Sequence, residues 1–323
     1  RIVRMIINNG AYENPYVDLE NSKTIVGSED KIEAGYNAQL DSVVLLKNEN
    51  NAIQCGAAKD SYADKTVYIP QSYDLGFDNP MLGTEYSQGP TFSLELAEKY
   101  FGKVVTDEVE LDGDGKVVKY TAPDLSDVDL VLAGIKPPQQ GGLFSGYDAK
   151  TQTYIPISLQ YRPYTADSDK VRKTSIAGNT LEDGSTENRS YFGKTSQISN
   201  EADLDAIVRA SDAIKASGKD IPLITVIRTG EVMMDASTVI PAEFEKLSDA
   251  ILIGYGVAQP AYLDTALGIH DTAGRLPLGL PASMEAIEGS FEDVPKDVES
   301  YTDSAGNTYE YGFGLSCSGE AVK

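Results

Sequence analysis

Apolar residues recur along this chain in two rhythms. Short runs rich in β-branched residues, at Thr66 to Ile69, Val128 to Ala133, Ile221 to Ile227 and Ala250 to Ile253, are apolar at almost every position and predict strands buried on both faces. Amphipathic stretches at Phe92 to Phe101, Glu201 to Lys215 and Pro260 to Leu267 separate them and carry helical spacing. Two further elements lead in. Arg1 to Asn9, with Ile2, Met5 and Ile6 on one face, suits the last turns of a helix that Gly10 ends. From Ser28 a second helix is expected, because Ser can cap its free amides, Glu29 and Asp30 suit the positive end of the dipole, and Ile32, Tyr36 and Leu40 follow in register. Ser42 to Leu46 then reads as a strand. Apolar strands alternating with helices indicate an α/β fold with a mostly parallel sheet covered by helices on both faces.

Two segments depart from that rhythm. Val104 to Val109 and Lys116 to Tyr120 flank Asp112-Gly113-Asp114-Gly115 and predict a hairpin. Those four residues echo a calcium loop, but the remaining acidic ligands and closing Glu are out of register. After the central strand, roughly 65 residues to Glu201 show no convincing helix, far more than an ordinary connection. The segment holds Tyr147, Tyr154, Tyr161, Tyr164 and Tyr191 with Arg162, Arg172 and Arg189, too aromatic a content for a disordered linker. In an open α/β sheet it leaves the carboxyl end of a strand, where ligands characteristically bind, and it is the first choice for the functional surface.

Composition narrows the partners. With 50 acidic against 27 basic side chains in 323 residues, the formal charge of −23 repels polyphosphate backbones and anionic membranes, so neither nucleic acid nor membrane is expected. Neutral sugars are indifferent to that field. The 41 % apolar and 24 % charged content is that of an ordinary globular protein. Two cysteines, Cys55 and Cys317, far apart in the chain, give no disulfide framework or metal cluster to read, and a cytoplasmic or a secreted location is equally compatible. A start at Arg1 without Met or signal-like segment suggests that the chain begins inside something larger.

Little of the usual catalytic repertoire is present. Gly254-Tyr255-Gly256 lacks the third glycine of a dinucleotide turn and more simply allows a tight strand-to-helix connection. His270 is the only histidine and meets no Gly-x-Ser-x-Gly elbow, so it reads as a solvent-facing turn residue, and sites needing two histidines are excluded. No cofactor and no metal is expected. Carboxylates, tyrosines and arginines are left, which suits glycoside hydrolysis, where two carboxyl groups suffice.

The two ends of the chain carry a resemblance. Asn9-Gly10-Ala11-Tyr12-Glu13-Asn14-Pro15-Tyr16-Val17-Asp18 followed by Ser42-Val43-Val44-Leu45-Leu46-Lys47-Asn48 resembles the linker and first strand that join barrel to sandwich in glycoside hydrolase family 3. Ala273-Gly274-Arg275-Leu276-Pro277, Leu280-Pro281, Glu292-Asp293-Val294-Pro295 and Tyr311-Gly312-Phe313-Gly314-Leu315-Ser316 resemble its closing segments in the same order. The resemblance implies that residues 1–27 are the end of a barrel and a linker, 28–316 a doubly wound, (α/β)6-type α/β sandwich, and 317–323 a tail. It also implies an upstream (β/α)8 barrel with an Asp nucleophile, absent here, and a retaining exo-β-glycosidase acting on an oligosaccharide or β-glycoside.

The same resemblance implies that this domain faces the leaving group and supplies an acid/base Glu, commonly within Gly-Glu-Gly-Tyr/Phe-Asp-Arg. The nearest match, Phe144-Ser145-Gly146-Tyr147-Asp148-Ala149, lacks that Glu and the following Arg. Glu187, which Arg189 could orient, and Glu182 are therefore the acid/base candidates. Tyr147, Asp148, Tyr161, Arg162, Tyr164, Arg189 and Tyr191 are the substrate-binding candidates. Tyr161, Arg162, Tyr164 and Tyr191 form either a wall for sugar rings or simply the packing that holds the loop down. A non-catalytic carbohydrate-binding or structural domain is the alternative reading, and a homodimer is compatible with either.

Overall fold

The computed structural model describes residues 1–76, 86–140, 147–148, 153–230, 238–291 and 293–322. The described chain divides into two compact units, residues 1–39 and 40–323. In the first, α1 (Ile2–Asn8) ends where Gly10 takes a φ of +69°, as the sequence predicts. A short α2 (Leu19–Ile25), absent from the sequence reading, is capped by Asp18, whose side chain accepts from the amides of Glu20 and Asn21. Most of α3 (Glu29–Ser42) belongs to this unit, and it starts one residue after Ser28.

The second unit holds a six-stranded sheet of β1 (Val44–Asn48), β2 (Thr66–Tyr68), β5 (Lys103–Val105), β8 (Leu130–Ile135), β11 (Leu223–Thr229) and β12 (Ala250–Tyr255). Their order is β1-β12-β11-β8-β2-β5, all parallel except β1, which runs antiparallel to β12. Alternation along the strands shows that both faces are covered. Val44 and Leu46 join a cluster with Tyr68, Val131, Ile227 and the helical Leu204 and Ile207, while the intervening Leu45, Val67, Leu132 and Val226 are equally buried on the other side. The predicted strands are all present, shifted by up to two residues.

The helices are α4 (Leu94–Ala97), α5 (Glu201–Ser217), α6 (Gln259–Ala266) and α7 (Met284–Glu288). The amphipathic run from Phe92 yields only the single turn of α4, capped by Ser93. β6 (Glu108–Leu111) and β7 (Val117–Thr121) form the predicted hairpin, but Val104 and Val105 pair with Val67 and Tyr68 in the main sheet instead. Its turn is closed by Asp112, whose carboxylate accepts from the amides of Asp114 and Lys116 and titrates low for that reason. Two smaller ladders complete the fold: β3 (Gln71–Asp74) with β4 (Ser87–Pro90), and β9 (Tyr147–Asp148) with β10 (Thr153–Tyr154).

A disulfide joins Cys55, just beyond β1, to Cys317 across a sequence separation of 262. Nothing in the spacing of two lone cysteines betrays such a pair, because the fold alone brings them to a Cα distance of 5.6 Å. Gly254 and Gly256 serve the predicted tight connection. A Cβ on Gly254 would come within 2.5 Å of the Tyr262 ring, and Gly256 has a φ of +68°. Among the described residues, no helix is long and apolar enough to cross a membrane.

Candidate functional site at the carboxyl edge of the sheet

The connection from β2 leads outward to β5, and that from β5 returns to β8 on the other side of β2. The strand order therefore reverses between β2 and β8, and a crevice opens at their carboxyl ends, as expected of an open α/β sheet. A polar cavity of about 190 Å3 lies there, lined by Ser72, Thr91, Lys136, Asn200, Asp203 and Arg228 among others. No motif in the sequence marks these residues. The available signal was positional, since Asn200 and Asp203 open α5 where the long excursion returns to the sheet.

The described residues of the excursion between 136 and 200 are held together by nested antiparallel bridges at Gln140↔Ile198, Thr165↔Thr195 and Thr180↔Thr186. Within it, a Cβ on Gly178 would strike the carbonyl oxygen of Glu187, so only glycine allows the two legs to approach so closely. Several side chains fasten it. The Glu243 carboxylate accepts from the amides of Tyr161 and Arg162, at 2.5 and 2.9 Å, and burial pushes its pKa up. Arg162 is ion-paired with Asp205 and Glu201 on α5.

Tyr161 takes the packing alternative. It is 0 % exposed, lies edge-on to Phe244 and donates its hydroxyl to the carbonyl of Lys136, so no ring face is open to a sugar. Arg162 likewise spends its guanidinium on α5. Tyr164 is half-buried, and burial pushes its phenol up to about 12. Its hydroxyl has no hydrogen-bond partner among the described residues. Tyr191 donates to Glu288 of α7 at 2.9 Å, and burial raises that carboxyl group. Arg189 and Tyr191 line a second cavity of about 470 Å3 with Arg172, Ile176, Ile287 and Glu288.

Glu187 stands beside Arg189, as the sequence suggested. Its carboxylate accepts from the Asn179 amide at 3.2 Å and from Arg189 Nε at 2.9 Å, and Tyr154 reaches it at 3.4 Å. The Asn179 amide and then Arg189 hold it below the usual carboxylate range, the reverse of what a proton donor at neutral pH requires. Glu182 is exposed on the turn from Leu181 to Ser185. Asp148 is half-buried, with Gln197 at 3.4 Å, while of Tyr147 only the backbone pairing with Tyr154 is described. Residues 144–146 and 149 of the Gly-Tyr-Asp segment lie outside the described residues. His270 sits on its turn against Asp41 at 3.0 Å.

A mostly parallel sheet closed on both faces, with its cavity at the switch point, defines this chain as an α/β sandwich. No protein-family model matches it. It is 23 % identical over 316 residues to "Probable beta-glucosidase C" of Aspergillus flavus, an alignment covering 98 % of this chain and 34 % of that protein. A counterpart from Aspergillus oryzae is 37 % identical over 86 residues, 27 % of this chain and 12 % of that one. Among solved structures, β-glucosidase from Listeria innocua in complex with gluconolactone aligns with 98 % of this chain and 38 % of its own, at 16 % identity and a TM-score of 0.48. The chain is thus a relative of β-glucosidases, spanning about a third of the length of the one it matches end to end, and the resemblance to glycoside hydrolase family 3 is borne out.

Proposed function

We propose that this chain is the sandwich part of a retaining exo-β-glycosidase that removes terminal, non-reducing β-linked sugars, with glucosides as its substrates. The observation carrying this reading is the near end-to-end relationship to a β-glucosidase of about three times the length. In this reading residues 1–27 are the end of a (β/α)8 barrel and a linker, residues 28–316 the sandwich and 317–323 a tail. The barrel supplies the Asp nucleophile, and the ordered excursion with its cavity at Arg189 and Tyr191 supplies the leaving-group side. The acid/base candidates remain Glu187 and Glu182. Donation by Glu187 requires docking of the barrel to desolvate the carboxylate and draw Arg189 away, since both now favour the ionised form.

The test is made on the polypeptide that carries the barrel. With Glu187 as acid/base, Glu187→Gln lowers kcat/KM about 10²–10⁴-fold for glucosides with poor leaving groups. For dinitrophenyl glucoside kcat/KM is largely spared, because its departure needs no acid, while the slowed second step is restored by azide as glucosyl azide. An unchanged ratio between the two substrates removes Glu187 from the role and passes the same test to Glu182→Gln. The Arg189 ion pair favours a second reading, a non-catalytic carbohydrate-binding domain. That reading predicts no substrate-dependent loss for either variant.

A further inference from the structure

The switch-point cavity has a composition that selects its ligand. Asp203 is 8 % exposed, and its carboxylate accepts from Ser72 Oγ at 2.5 Å, from the Lys136 amide at 2.9 Å and from Asn200 Nδ2 at 3.1 Å. Two carboxylate oxygens offer about four acceptor positions, and the described residues fill three of them. Across from it Thr91 is 4 % exposed, and its Oγ1 has no hydrogen-bond partner among the described residues. A buried hydroxyl left in that state costs free energy unless a ligand or water completes it. Arg228, 7 % exposed and lying over the Phe92 ring at 5.3 Å, adds a donor wall, and Lys136 adds an ammonium.

Acceptor and donor groups of both signs therefore face one small space. A free anion meets the Asp203 carboxylate, which already occupies the first turn of α5 and answers its dipole. A cation meets Arg228 and Lys136. Adjacent hydroxyls, each both donor and acceptor, suit a wall that mixes acceptors and donors. Tyr73, held between Tyr86 and Tyr120 at centroid distances of 6.2 and 6.3 Å, contributes a fixed apolar wall. At about 190 Å3 the space lies below the roughly 300 Å3 at which drug-sized sites begin, which fits one ring and excludes a chain of rings.

We propose that this cavity binds a single neutral polyhydroxylated ring, a monosaccharide or cyclitol, on the α/β domain itself. The site is separate from the excursion residues assigned to the leaving group, and the proposal does not rest on the glycosidase reading. Binding needs no barrel, so it is measured on the 323-residue chain by titrating 15N-labelled protein with D-glucose, myo-inositol and D-gluconate.

The expected result is millimolar binding of glucose or inositol that shifts the amides of Thr91, Gly134, Lys136 and Asn200. Gluconate binds more weakly because of its charge. Thr91→Val, which keeps the shape and removes the hydroxyl, weakens binding about fivefold, and Asp203→Asn about tenfold or more, both with native-like spectra. Four results overturn the proposal: no shifts up to about 50 mM sugar, shifts confined to other residues, gluconate binding as tightly as glucose, or Thr91→Val binding like the parent. Should Asp203→Asn fail to fold, Thr91→Val decides. Hydrolysis assays on the barrel-containing polypeptide read the glycosidase proposal separately.

Discussion

At the residue scale, Lys47 and Glu245 set the sharpest electrostatic constraint. They meet at 2.7 Å with side-chain exposures of 3 % and 0 %, and Ser304 and Tyr301 donate to the same carboxylate. Burial pushes Glu245 upward, but these donors together outweigh it and leave its pKa lowered. Lys47→Met leaves an uncompensated buried carboxylate and is expected to cost about 3–5 kcal/mol, read as a lower midpoint in urea. A carboxyl group lowered on folding contributes stability above its unfolded pKa and loses it as pH falls through the folded value. Glu245→Gln should therefore narrow its stability gap to the parent on acidification below the ordinary carboxylate range. A gap independent of pH would show that Glu245 does not titrate with folding. Tyr161→Ala, at a core position, should cost about 3–5 kcal/mol in stability and act on folding first.

At the element scale, residues 153–200 of the excursion are fastened to α5, α7 and the Glu243 segment, and the approach of their two legs hinges on Gly178. Gly178→Ala should separate its two legs and open residues 166–195 to protease, while the sheet keeps its circular dichroism; unchanged cleavage kinetics would contradict this. The sheet itself was legible because β8, β11 and β12 are apolar at successive positions, a pattern little else produces. The helical run from Phe92 was over-read, since Phe92, Tyr100 and Phe101 are buried by the loops flanking one turn of α4 and helical spacing does not separate the two cases. The site was less legible. Glu187 and Arg189 are neighbours in the sequence and were found together, but Asp203 and Thr91 line one cavity only because the strand order reverses between β2 and β8.

At the scale of the whole molecule, the proposed function predicts that residues 1–323 alone do not hydrolyse aryl β-glucosides. Turnover by the purified chain, lost on mutating one of its own carboxylates, would place the nucleophile here instead. The disulfide acts at the same scale. Removing it as Cys55→Ser with Cys317→Ser is expected to cost about 2–5 kcal/mol, visible as a lower Tm, because the bridge closes a loop of 262 residues. Leu45 also bridges Leu315, so the edge strand β1 and the closing segment are stitched side by side. Any peptide bond cut between positions 55 and 317 consequently yields two pieces that still travel as one mass, and only a thiol reductant lets them part.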